Sequence, residues 1–140
     1  MKTFKDSKGR DWPITVNVNS AGRVRSLLGV DVFNLFTDGA DKLFGDPITL
    51  VNVLFVLVKD EADKRGVTDV DFGESLYGDA IESATEAFTR EVADFFPSGR
   101  RKVLNAVLDK STATMRAVEQ KAMAAIEAMD VSTLDAPVTS

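Results

Sequence analysis

Ile48 to Val58 is the feature that most limits the fold: an apolar stretch of eleven residues interrupted by Asn52, with Thr49 as its other polar position, the longest such stretch in the chain. It falls short of the ~18 apolar residues that cross a bilayer, so water must be excluded by other parts of the same chain. Asp46-Pro47 precedes it, a helix start with an N-cap acid and proline at the first helical position. The polar run Lys59-Asp60-Glu61-Ala62-Asp63-Lys64-Arg65 follows, and Gly66 stops it. The spacing predicts a helix from Ile48 to about Arg65 whose first three turns are apolar nearly all round, as in a central buried helix. A strand over Ile48–Val58 is the alternative, given its β-branched content; the cap and the polar continuation favour the helix.

The remaining elements are read against that centre. Thr3-Phe4-Lys5, the turn cluster Asp6-Ser7-Lys8-Gly9 and the alternating Trp12-Pro13-Ile14-Thr15-Val16-Asn17-Val18 predict a β-hairpin, with Ile14, Val16 and Val18 on one side. Two strands alone are marginal and need a helical layer beneath them. Ser20 is the expected N-cap of a helix from Ala21 to Leu28, stopped by Gly29. Asp31 is the expected cap of a second helix carrying Val32, Leu35, Phe36 and Leu43 and ending near Gly45. Thr68 caps a short helix from Asp69 to Leu76. After Gly78, the stripe Ile81, Ala84, Phe88, Val92 and Phe95 predicts an amphipathic helix that ends at Phe96-Pro97.

Ser98 opens the longest helical stretch, to about Met129. Leu104, Leu108, Ser111, Met115, Val118, Ala122, Ala125 and Met129 alternate spacings of four and three, a 3.5-residue seam of the coiled-coil type. The expected architecture is α+β and mostly helical: an N-terminal hairpin on about five or six helices, with a long C-terminal helix. Residues 1–110 form the globular domain, 111–129 a helical extension and 130–140 a flexible Ser/Thr/Pro-rich tail. Expected core residues are Phe4, Trp12, Ile14, Val16, Leu28, Phe36, Leu50, Leu54, Leu57, Phe72, Ile81, Phe88, Val92, Phe95 and Leu104.

Composition narrows the chemistry. The chain has neither cysteine nor histidine, which removes disulfides, thiolate or imidazole metal sites and Ser–His or Cys–His nucleophiles. Asp69-Val70-Asp71-Phe72-Gly73-Glu74 does not match a calcium loop, because glycine falls at position 5 and alanine at position 12. The acidic groups Asp38/Asp41, Asp60/Glu61/Asp63, Glu82/Glu86 and Glu91/Asp94 read as solvated helix faces. There is no glycine-rich phosphate loop. The expectation is a protein that is not an enzyme, with no cofactor and no metal.

Net charge is −5, split as +4 over residues 1–25, −10 over 26–97, +3 over 98–129 and −2 over 130–140. An acidic molecule of this kind is a poor general nucleic-acid binder. Arg100-Arg101-Lys102 is the one basic run. It opens a helix, where the macrodipole disfavours cations, and packing against the acidic middle is its plain reading, a protein partner the alternative. The second candidate surface is the seam beyond Ser111: Met115, Val118, Ala122, Met123, Ile126 and Met129. Methionine-rich helices adapt to varied apolar partners. Such a helix folds back, pairs with a second copy or takes a partner helix. The N-terminus lacks the apolar core of a signal peptide, so a cytoplasmic protein without membrane contact is expected.

Several ordered segments carry a resemblance. They are Lys2-Thr-Phe-Lys-Asp-Ser-Lys-Gly-Arg-Asp-Trp12, Arg25-Ser-Leu-Leu-Gly-Val-Asp-Val32, Asp46-Pro-Ile-Thr-Leu50 and Val70-Asp-Phe-Gly-Glu-Ser-Leu-Tyr-Gly-Asp-Ala-Ile81. Val92-Ala-Asp-Phe-Phe-Pro97 with Arg100-Arg101 and Val103-Leu104 completes the set. Over about residues 1 to 110 the chain resembles tail assembly chaperones of tailed phages and prophages, small proteins encoded near the major tail and tape measure genes. The resemblance implies binding to the long helical tape measure protein and recruitment of tail tube subunits (the major tail protein). It also implies a place in the cytoplasm of the bacterial host and absence from the mature virion. Rival expectations are a structural virion protein, such as a tail completion or tube-associated subunit, and a small nucleic-acid-associated regulator using Arg100, Arg101 and Lys102.

Overall fold

A computed structural model describes residues 2–34 and 43–129. Two strands and five α-helices are defined among them: β1 (Lys2–Lys5), β2 (Asp11–Ile14), α1 (Val18–Leu28), α2 (Pro47–Arg65), α3 (Asp69–Glu74), α4 (Asp79–Phe95) and α5 (Ser98–Ala128), with a 3-10 turn at Val32–Asn34. The architecture is α+β and mostly helical, with an N-terminal hairpin and a long C-terminal helix, as the sequence patterning predicts. The chain divides into two compact units, Met1–Asn105 and Ala106–Ser140.

In the first unit, β1 and β2 pair antiparallel with Phe4 opposite Trp12 and Lys2 opposite Ile14. The turn between them is closed by Asp6. Its carboxylate accepts from the backbone N–H of Lys8 and Arg10, both at 2.9 Å, from Arg10 Nε at 2.7 Å and from Trp12 Nε1 at 2.9 Å. Gly9 takes φ +84°, which this turn requires. β1 packs on α4 and β2 on α2, while α1 lies against α2. Trp12 and Phe72 are fully buried and meet edge to face at 5.3 Å; Phe4 and Phe55 complete the ring cluster around Phe72. Such rings contribute about 0.5–1.5 kcal/mol per pair beyond burial.

α2 is the central helix. Asp46 accepts from the N–H of Ile48 and Thr49, Pro47 stands at the start, and Gly66 caps the end in the left-handed region. Leu50, Val53, Leu54, Leu57, Val58 and Ala62 are buried, so the strand alternative does not hold. Thr68 and Asp71 form a reciprocal capping box at α3, which ends at Glu74 rather than Leu76. α4 begins after Gly78 and ends at Phe96-Pro97, and Ala84, Phe88 and Val92 of its stripe are buried.

Four expectations need correction. The N-cap of α1 is Asn17, and Ser20 is its reciprocal partner one turn on: Asn17 Oδ1 accepts from Ser20 N at 2.8 Å and Ser20 Oγ accepts from Asn17 N at 2.9 Å. The strand therefore ends early. Ile14 and Val16 are buried, but Val18 has entered the helix and is 71% exposed. Leu28 and Phe95 are exposed rather than core, and Ile81 is only partly buried at the core's edge. At the expected second helix Asp31 caps a 3-10 turn, accepting from Phe33 N at 3.0 Å, while Leu43 and Phe44 at its expected end are helical, Leu43 is buried and Gly45 turns the chain. Leu35 and Phe36 of that helix, and the expected tail 130–140, lie outside the described residues. No helix among the described residues is long and apolar enough to cross a membrane.

Candidate partner-binding surfaces

The basic run sits at the corner where α4 gives way to α5. Phe96 caps α4 in extended backbone with its N–H bound to Ala93 O at 3.2 Å. Pro97 has no N–H to continue the helix, and its carbonyl accepts from Arg101 N at 2.8 Å, which starts α5. The Arg100 guanidinium lies 4.4 Å from the centre of the Phe96 ring, and Arg101 Nε donates to Phe96 O at 3.3 Å. Lys102 is exposed. Phe33 and Phe95 stack at 4.2 Å, and Phe96 meets both edge to face. α4 and α5 are tied inside this unit by Arg90, whose Nη1 donates to Asn105 O at 3.2 Å and Asn105 Oδ1 at 3.0 Å. Arg100, Arg101 and Lys102 make no ion pair among the described residues.

The methionine-rich seam divides at the unit boundary. Leu104 is buried in the first unit. In the second unit every residue from Ala113 to Met129 is exposed. Met115 is 59% exposed, Val118 56% and Ile126 58%. At 3.6 residues per turn, Met115, Val118, Ala122, Ile126 and Met129 fall within a stripe about 80° wide, and Met123 stands about 100° from its middle. Arg116, Lys121 and Glu127 occupy other directions, while Glu119 stands at one edge of the stripe. No side-chain ion pair links one turn to the next between Ala113 and Met129. The helix there rests on good helix formers, chiefly alanine, methionine, lysine and glutamate, and on no buried apolar contact.

Reading the sequence did not anticipate a third surface. An open groove of about 550 Å³ runs along α2 in the first unit, lined by Leu28, Asn52, Phe55, Val56, Lys59 and Val67 among others. Lys59 lies over the Phe55 ring and pairs with Asp63 at its rim. The signal available was Leu28 beside the all-round apolar α2, since a helix of that kind can leave part of its surface facing outward.

The carboxylates with displaced acidity all serve structure. Burial alone raises the Asp6 carboxyl, but the hydrogen bonds from Trp12, Arg10 and Lys8 outweigh it and hold the group below the usual aspartate range. The Thr49 hydroxyl and backbone lower Asp46, and the Thr68 backbone and hydroxyl lower Asp71. Asp46 is the N-cap of α2, and Asp71 is the N3 partner of the Thr68 cap at α3. Among the described residues no group of three or more acids is placed to hold a metal ion. Set against protein families, characterised proteins and solved structures, the chain matches none.

Proposed function

We propose that this chain is a non-enzymatic assembly chaperone of phage tails. In this reading it holds apolar helices of the tape measure protein along the stripe Met115, Val118, Ala122, Ile126 and Met129, with Met123 beside it. It keeps that partner soluble in the host cytoplasm, helps recruit the major tail protein around it, and leaves before the virion is complete. One observation carries the reading: a helix in which every residue from Ala113 to Met129 is exposed, with methionine and branched apolar side chains along one stripe. Leaving such a stripe in water is unfavourable by roughly 25 cal/mol per Å² of apolar area, and a partner helix removes that cost. The resemblance of residues 1 to 110 to tail assembly chaperones supplies the partner.

The test is co-expression with the tape measure protein encoded nearby, followed by pull-down and a solubility assay. The tape measure protein should become soluble and co-purify, and truncation after Lys110 should abolish both. A chain that ignores the tape measure protein and is found in intact particles is a structural subunit instead.

A further inference from the structure

We infer that the first turn of α5, with the phenylalanines beside it, is a docking surface for an acidic protein segment. It uses other residues than the methionine stripe and does not depend on the chaperone reading. Among the described residues of the first unit, eight cations lie within ion-pair distance of a carboxylate, Lys2 from Asp94 at 3.5 Å and Arg23 from Asp60 at 3.6 Å among them. Lys8 and Lys64 are isolated exposed cations with no ion pair among the described residues; Arg100, Arg101 and Lys102 are the one consecutive set of that kind there, in a chain with 22 acids against 17 bases. They repel one another and lie at the positive end of a helix. A carboxylate placed there relieves both.

The geometry also prepares the contact. The Phe96 ring holds the Arg100 guanidinium at 4.4 Å, which costs that side chain its freedom before any partner arrives. No acceptor among the described residues takes its N–H groups, so they are available to a carboxylate in two parallel bonds. Arg101 spends Nε on Phe96 O and keeps its two terminal nitrogens. Phe95, 40% exposed, and Val103, 62% exposed, give an apolar footing beside the charges. The fitting partner is a protein segment with closely spaced carboxylates and an aromatic or aliphatic residue next to them. Single-stranded nucleic acid fits less well. It needs open ring faces for base stacking, whereas Phe33 and Phe95 stack on each other at 4.2 Å and Arg100 covers Phe96.

Fluorescence anisotropy on the full chain tests this. The probes are a labelled peptide Gly-Glu-Asp-Phe-Glu-Asp-Gly, its counterpart with Gln and Asn for Glu and Asp, and a labelled oligothymidylate. The acidic peptide should bind, weaken with added salt and outcompete the other two. R100E/R101E should weaken it about tenfold or more. K102E, which alters no internal hydrogen bond or ion pair among the described residues, should weaken it in the same direction with an unchanged circular dichroism spectrum. Equal binding of the amide peptide, no binding of the acidic one, or indifference to K102E together with R100E/R101E overturns the proposal. Tighter binding of oligothymidylate overturns it in favour of a nucleic-acid surface. Capture of the tape measure protein is read separately, so the two readings fail independently.

Discussion

The two units of this chain use similar apolar residues to opposite ends. In Met1–Asn105 they close on themselves: Trp12, Phe72 and Phe88 are fully buried, and of the two carboxylates buried among the described residues, Asp6 and Glu91, Asp6 has its lone pairs filled by Trp12, Arg10 and Lys8. In Ala106–Met129 no residue reaches the buried class. The difference lies in what surrounds the apolar stripe rather than in its hydrophobicity. Large rings and β-branched residues from distant parts of the sequence converge on α2, whereas Met115, Ala122 and Ile126 sit on a single helix and stay exposed. A stripe of small and flexible residues makes a poor core and an adaptable surface.

Four changes test that contrast, in falling order of expected effect. Phe72→Ala should remove about 3–5 kcal/mol from the first unit. Trp12, the single tryptophan, lies against the deleted ring, and its fluorescence in urea reads the loss directly. A small effect would mean that this core is looser than its ring contacts indicate.

Asp6→Ala should cost about 2–3 kcal/mol, because it strands the Trp12 N–H and the Arg10 guanidinium in a part-buried site. The pH dependence has a definite sign. The folded carboxyl is held below its unfolded value, so its contribution is fully present above about pH 4 and is lost as pH falls through the folded value. Asp46 and Asp71 titrate in the same direction. Asp6→Asn should therefore flatten, without abolishing, the loss of thermal stability on acidification below about pH 4. An unchanged acid limb would remove Asp6 from the account.

Asn17→Ala should cost about 1 kcal/mol by deleting half of the capping box at α1. The thermal midpoint measures it, and Ser20→Ala should not add a full second increment, since the two hydrogen bonds are reciprocal. Met115→Lys combined with Val118→Lys and Ile126→Lys should move the Trp12 unfolding transition by less than about 0.5 kcal/mol. The same triple change should abolish capture of an apolar helical partner. If it unfolds the first unit, the stripe is core and the contrast between the two units fails.

Much of this was legible because helix punctuation is local. Asp46-Pro47 and Gly66, the Thr68 and Asp71 box, Gly78 and Phe96-Pro97 each act within one turn of chain, and each bounds a helix where expected. The failures are of another kind. Asn17 and Ser20 are both good caps, and local chemistry does not choose between them. The strand's early end decides, and it turns Val18 outward. Asp6 reads as an ordinary turn acid until the hairpin register brings Trp12 and Arg10 to it. At the candidate site, Phe96-Pro97 followed by the basic run was readable as the end of one helix and the start of the next, but the contact of Arg100 with the Phe96 ring was not, because Phe96 stands in extended backbone outside both helices. The absence of a carboxylate for Arg100 depends on where the acidic helices lie, which periodicity does not encode.

The lodging of β1 on α4 also fixes an order of events. Lys2 N donates to Glu91 Oε2 at 3.2 Å, across 89 positions of sequence. Because synthesis runs from the N-terminus, the hairpin is made first and its final support last. Trp12 and Ile14 find α2 and Phe72 earlier, but the face of β1 that rests on α4 waits in water, or in a chaperone's grasp, until Asp79–Phe95 has been synthesised. Chains interrupted before α4 expose that apolar face and are expected to be captured by quality-control factors. Chains interrupted after Asn105 already hold a finished first unit. Closure by non-local contact is also slow relative to helix formation, so the long terminal helix, built from local contacts, sets no pace for the rest.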